Sequence, residues 1–264
     1  MVFIGDSFTE GTFSSYPKSF VGIVKENLKG HQVDVLNAAV ASYSPAIYYR
    51  KIKYLIETVG LKFDELVVFI DISDIKDETI YFLDRDLNVQ SRHKEIMKLS
   101  TRRFVWKKMS NNSVLWRLID TLKKQLQLNQ KKYIINHLHS LWTVDPEAFE
   151  TYGRKGLINA EKHMNLLLEL LRANGIKLTI SVYPWPDQIY RHDLDSKQVQ
   201  FWEAWAKKNH VLFINHFPDF INEKNWREML DEYFIPGDVH WNAKGHRLVA
   251  ERFLKTFANQ KTKR

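Results

Sequence analysis

Five consecutive apolar residues, Leu66 to Ile70 in "ELVVFIDIS", leave no polar side chain to face water. A half-exposed strand alternates apolar and polar residues, whereas a strand buried on both faces does not. The run is too short for a helix and rich in β-branched and aromatic residues, which marks a central strand of a parallel sheet. Parallel strands need long crossovers, and the rest of the chain supplies them. Val2 to Ile4, "QVDVLNAAV", "IKLTISVYPWP" and "HVLFIN" read as four further strands. Between them "YPKSFVGIVKENLKG", "SPAIYYRKIKYLIETVG", "LINAEKHMNLLLELLRANG", "KQVQFWEAWAKKN" and the final "NAKGHRLVAERFLKTFA" carry apolar residues at helical spacing. Five strands alternating with helices predict an α/β domain, its parallel sheet covered on both faces.

The alternation breaks once. Residues 76–155 contain no convincing strand and are read as a largely helical insertion within a single domain spanning 1–264. Within it, residues 102–132 hold nine Lys or Arg against one acid, Asp120, which equals the whole +8 of the chain. A basic amphipathic stretch suggests an anionic membrane surface or polymer; the plainer reading is a solvated helix face. No nucleic-acid-binding motif accompanies the charge. Cysteine is absent, so disulfides and thiolate metal sites are excluded while either redox compartment remains open. The opening strand has barely four residues before its turn. It fits either a short strand or a chain with a signal or anchor piece upstream.

Ligands of such sheets bind beyond the carboxyl ends of the strands. That edge collects Ser7, Ala41 with Ser42, Ser73 with Asp74, and Tyr183 to Pro186. It also collects the loop "YFIPGDVHWNAKGH" before the last helix. Gly5 permits a sharp turn, and Ser7 just after it is either a helix cap or a nucleophile. A serine hydroxyl attacks only when a base takes its proton, and a carboxylate orients that base. Asp238 and His240, on the same edge, would supply both. Taken singly, each has an ordinary explanation as a turn acid and a loop histidine.

Together, "IGDSFTEG" after the first strand and "DVHWNAKGH" before the last helix resemble blocks I and V of the SGNH, or GDSL, hydrolases. The resemblance implies a three-layer α/β/α, flavodoxin-like fold with a five-stranded parallel sheet, no metal and no organic cofactor. It makes Ser7 the nucleophile, His240 the general base and Asp238 its partner. The reaction would be acyl transfer through an acyl-serine, with water or a sugar hydroxyl as acceptor. The Gly-x-Ser-x-Gly elbow of α/β-hydrolases is missing, as is the Lys of a phosphate-binding loop.

The family's oxyanion hole uses the nucleophile's N–H, a block II glycine N–H and a block III asparagine side chain. Here Ser42 falls at the glycine. In "FIDISD", Asp71 falls at the block III glycine and Ser73 at the asparagine, with Asp74 following. The expected donors are therefore Ser7, Ser42 and Ser73, with Asp71, Asp74 and Trp241 as site neighbours. These substitutions imply a weakened hole, and a polar strand-end turn explains Asp71, Ser73 and Asp74 equally well. "DVHWN" also has one residue fewer between acid and histidine than the family's usual spacing. It is similar to an element of SGNH-like proteins that acetylate bacterial exopolysaccharides, alginate among them. The expected substrate is accordingly an acylated carbohydrate or another small ester. Competing expectations are a carbohydrate-binding protein without activity and a lipolytic esterase whose insertion forms a lid. His137 and His139 lack the acid cluster and spacing of a metal site. Asn111-Asn112-Ser113 matches a glycosylation pattern too common to use.

Overall fold

The computed structural model describes residues 1–91 and 132–261. Five parallel strands form the central sheet in the order β2-β1-β3-β6-β7. They are β1 (Val2–Ile4), β2 (Leu36–Asn37), β3 (Glu65–Ile70), β6 (Lys177–Val182) and β7 (Leu212–Asn215), while Tyr81–Leu83 (β4) and Val89–Ser91 (β5) form a separate hairpin. β3 lies in the middle and Leu66 to Ile70 are wholly buried, as their unbroken apolarity requires.

Among the described residues two pairs of helices pack over the sheet, and the helix Lys197–Asn209 packs on β6 and β7. α2 (Phe20–Leu28) packs on α10 (Ala243–Lys261), and α3 (Pro45–Glu57) packs on α5 (Arg154–Ala173). Phe3 and Phe69 share one sheet face and meet Phe20 of α2 and Phe253 of α10, with ring centroids 4.4–6.2 Å apart. Side chains alternate faces along a strand, so Val2, Ile4, Val68 and Ile70 serve the opposite layer. Buried aromatic contacts of this kind cost about 3–5 kcal/mol when truncated to alanine. Smaller helices fill the strand ends: α1 (Ser7–Glu10), α4 (Asp74–Asp77), α6 (Pro186–Tyr190) and α8 (Phe217–Phe220). α7 (Lys197–Asn209) precedes β7, and α9 (Trp226–Tyr233) precedes the Asp238 loop. Among the described residues no helix is long and apolar enough to cross a membrane.

Strand register sets the height of the edge residues. Ile4 pairs with Val68, two residues before β3 ends, so the turn after β1 passes close beside the end of β3. Gly5 is needed there for space rather than for a left-handed turn. A Cβ at Gly5 would lie 2.2 Å from Thr9 Oγ1 and 2.9 Å from the Phe69 carbonyl. A similar close approach docks α5 on α4: a Cβ on Gly156 would fall 1.9 Å from the Ile75 carbonyl. The loop returning from the insertion is thereby pressed against Ser73 to Asp77.

Two expectations change. The second strand is narrower than its pattern, since only Leu36–Asn37 pairs at the sheet edge. The described part of 76–155 is not mainly helical. Tyr81–Leu83 (β4) pairs antiparallel with Val89–Ser91 (β5). Asp84 holds that turn by accepting from the N–H groups of Asp86 and Asn88 and from the Gln90 side chain. Three-residue strands give too few positions for an alternating pattern to register. From Lys132 the chain runs through short turns to the wide π turn Phe149–Gly153, which continues into α5. The helical pattern around Leu115 to Leu126, Asn111 to Ser113 and all of the basic segment except Lys132 lie outside the described residues.

Candidate active site

Ser7 is not the cap of α1. Asp6 takes that place, its carboxylate accepting from the Phe8 N–H at 3.0 Å, and Ser7 becomes the first helical residue. Its hydroxyl is thus free of the helix cap, and it lies 3.2 Å from Asp6 Oδ2. Opposite it, the loop before α10 is closed by a bridge between Phe234 and Trp241 and by the Ile235 N–H bonded to the His240 carbonyl. Asn242 pins the loop's far end. Its amide donates to the Glu232 and Phe234 carbonyls, and its oxygen accepts from the Lys244 and Gly245 N–H groups at the start of α10.

These two elements bring three distant side chains into one chain of hydrogen bonds. His240 Nε2 lies 2.8 Å from Ser7 Oγ, and His240 Nδ1 lies 2.5 Å from Asp238 Oδ1. The same Asp238 oxygen also accepts the His240 N–H at 3.0 Å, which a spacing of two residues permits. Burial works to raise the Asp238 pKa, but the hydrogen bonds from the His240 ring and backbone outweigh it and hold the carboxyl below its ordinary value. Phe8 stacks on the imidazole from below at 4.6 Å, and Trp241 meets Phe8 edge-on at 4.7 Å. Trp241 is therefore a buried support beneath the site, with no place on its surface.

A cleft of about 540 Å³ opens beside Ser7 and His240, lined also by Ser42, Ser73, Lys76, Asp77, Tyr81, His139 and Trp185. Ser42 keeps a glycine-like backbone, φ +64°, although it carries a side chain. The Ser73 N–H is already committed to Asp71 Oδ1 at 2.6 Å, whereas its hydroxyl does not cap α4, and the residue lines the cleft. Burial, then the charges of Lys76 and His137, push the His139 pKa down to about 4, so its ring is neutral near pH 7. A second cleft, of about 890 Å³, lies at the opposite edge around Met1, Asp34 and Asp64, away from these residues.

Asp71 and Asp74 do not line the cleft. With Asp6, which itself reaches the cleft lining, they form a buried trio, one carboxylate oxygen from each lying within 4.8 Å of the others. These are the residues whose donor set a metal could use, and five of their six oxygens already accept from protein groups. The donors are Ser7 Oγ, the Phe8 and Ser73 N–H groups, the Tyr48 and Tyr183 hydroxyls, the Trp185 indole and the Asp71 N–H. Asp74 Oδ1 alone has no partner. Burial first, and the neighbouring Asp71 charge second, push both Asp6 and Asp74 well above the ordinary carboxylate range. The neutral forms of Asp6 and Asp74 are favoured accordingly.

Asp77 extends the same effect to the cleft wall: burial and the Asp71 charge raise its pKa to about 7. A carboxyl that keeps its proton longer in the folded state binds more protons than the unfolded chain, so stability falls as pH rises through that window. Unfolding free energy is therefore expected to decline between pH 4 and pH 7. Asp77→Asn should flatten the decline in urea titrations across that range. Parallel curves for parent and variant would show that Asp77 ionises normally.

No family model and no curated relative matches the chain. Solved structures do. An acetyl xylan esterase, AlAXEase, matches at TM-score 0.55 and 16% identity, covering 97% of this chain and 99% of that one. The chain has the SGNH, or GDSL, hydrolase fold. A member of the lipolytic G-D-S-L family from Veillonella parvula gives 0.52 at 14% identity, with 97% of both chains covered. A two-domain esterase active on acetylated mannans, co-crystallised with mannopentaose, gives 0.53 at 11% identity, and this chain covers 49% of it. In the SGNH frame, the positions carried over from the sequence blocks meet around one cleft: Ser7, Ser42, Ser73 and His240 line it, and Asp238 stands behind His240. Five contributors escaped the sequence reading as part of this site. Asp6 is part of the quoted motif. Lys76, Asp77, Tyr81 and His139 lie in the insertion, where only His139 is singled out, and then weighed as a metal ligand.

Proposed function

We propose that the protein is a serine ester hydrolase or O-acyltransferase that acts on O-acetyl groups of a carbohydrate. The hydrogen-bonded order Ser7, His240, Asp238 at the mouth of a cleft carries this reading. Ser7 Oγ attacks the ester carbonyl carbon as its proton passes to His240 Nε2, and the imidazolium is stabilised by Asp238. The carbonyl oxygen becomes an oxyanion within reach of the Ser7 and Ser42 N–H groups and the Ser73 hydroxyl. Collapse breaks the bond to the alcohol, whose oxygen takes the proton from Nε2, and leaves acetyl-Ser7. Water, or a second sugar hydroxyl, then gives up a proton to His240 and removes the acetyl group. The neighbouring acetyl xylan and acetylated mannan esterases support the choice of substrate.

A binding protein that kept the fold is the competing reading, favoured by the serine at the position of the oxyanion asparagine. Fluorophosphonate labelling followed by peptide mass mapping separates them. A single adduct on Ser7 is expected; a folded protein that stays unlabelled would make this chain a binding module.

A further inference from the structure

Beyond the triad, one exposed residue touches the site at a conformational cost. α1 ends at Gly11, in the left-handed conformation, and the Gly11 and Thr12 N–H groups both bond to the Ser7 carbonyl. The next turn is closed by the Ser14 N–H on the Gly11 carbonyl at 2.9 Å, which places Phe13 third in the turn with φ +65°. Turns of this kind take glycine or asparagine there, because a bulky side chain is strained at positive φ. Phe13 is also 72% exposed, so burial does not offset that strain. Its ring nonetheless lies edge-on to the His240 imidazole, with centroids 5.5 Å apart. Backbone strain of this kind gathers at functional sites.

We infer that Phe13 is a stacking platform for the sugar ring on the alcohol side of the ester. The inference rests on the proposed function and follows from where the proton must go. His240 Nε2 hands its proton to the leaving oxygen, so the alcohol half of the substrate lies against the imidazole. Phe13 is the exposed aromatic ring in contact with that imidazole. The strained turn holds its ring in the solvent at this spot, and it is tied through Gly11 and Thr12 to the backbone of the nucleophile itself. A pyranose, with one face of C–H groups and hydroxyls around its rim, suits a single solvent-exposed ring. An aliphatic chain would leave most of its length uncovered by one ring.

The test compares the parent with Phe13→Gly, which removes the ring and accepts the left-handed backbone, and with Phe13→Tyr, which keeps the ring. The substrates are acetylated xylo-oligosaccharides and ethyl acetate, whose alcohol is too small to reach the platform. For the oligosaccharide, Phe13→Gly should raise KM about tenfold and leave kcat within about twofold. Phe13→Tyr should retain the parent KM. Ethyl acetate turnover should be the same in all three proteins, and the melting temperature of Phe13→Gly no lower than the parent's. An unchanged KM overturns the platform, as does a parent that cleaves ethyl acetate but not the oligosaccharide. A fall in kcat on both substrates also overturns it, because Phe13 would then be positioning His240. If the parent cleaves no ester, the proposed function fails separately, and titration of xylopentaose and mannopentaose into the Ser7→Ala protein decides the platform. Binding weakened about tenfold by Phe13→Gly supports it, and no binding or equal binding overturns it.

Discussion

Ser7→Ala is expected to lower hydrolysis of small aryl acetates by about 10⁴-fold or more while leaving the fold intact. The second half of that expectation is as specific as the first. Had Ser7 been the cap of α1, its loss would cost about 1 kcal/mol of stability. Asp6 holds that cap instead, and its bond to the Phe8 N–H does not depend on the Ser7 hydroxyl. His240→Ala should come close to the serine variant, since Oγ then loses the imidazole that takes its proton and keeps only the buried Asp6 carboxyl at 3.2 Å, whose pKa is raised by burial and the Asp71 charge. Asp238→Ala should cost less, because Phe8 still supports the imidazole from one face. The order of the three losses, read from kcat with circular dichroism as the folding control, distinguishes a working triad from three adjacent polar residues. Full activity in Ser7→Ala would end the mechanism.

The sheet was legible because burial on two faces leaves a mark in the sequence: Leu66 to Ile70 can be nothing but a central strand, and the helices between strands carry their own period. The two ends of the site were legible for a different reason. "GDS" and "DVHW" each pack a turn, a cap and a reactive group into a few residues, so chemistry and geometry are written together. Asp6 was hidden inside that motif, because the eye stops at the serine while the helix is capped one residue earlier. The cleft wall was not legible. Lys76 and Asp77 follow the end of β3 within a short helix, and His139 comes from a segment some sixty residues further along, so no local pattern marks the three as neighbours. The hairpin Tyr81–Leu83 with Val89–Ser91 was missed since its strands bury little and so carry no alternation. Asp71 and Asp74 read equally well as site neighbours or as a polar turn; that they form a buried trio with Asp6 depends on the register that sets Ile4 beside Val68.

Ser73→Ala is expected to reduce kcat by roughly ten- to a thousandfold with KM little changed, the pattern of a lost oxyanion donor. Three features of the site lead to this. The Ser73 N–H is taken by Asp71, so the residue can serve the oxyanion only through its hydroxyl. Ser73 lines the cleft shared with Ser7, Ser42 and His240. The third feature is electrostatic. Asp71 lies buried beneath Ser73, and a carboxylate there would oppose negative charge growing on the substrate oxygen. The Trp185 indole N–H on Asp71 Oδ2 at 2.7 Å offsets part of that field, and the upward pKa shifts of Asp6 and Asp74 favour neutral forms that do not add to it. A donor in the cleft therefore has more to contribute than it would over a neutral floor. Removing it should raise the barrier selectively, because the substrate carbonyl carries little charge before attack. Ser73→Asn, which supplies the family's side chain, should keep or raise turnover. If Ser73→Ala cleaves acetylated oligosaccharides as fast as the parent, the N–H groups of Ser7 and Ser42 hold the oxyanion alone. The strain of a serine at φ +64° would then have its use at position 42 instead.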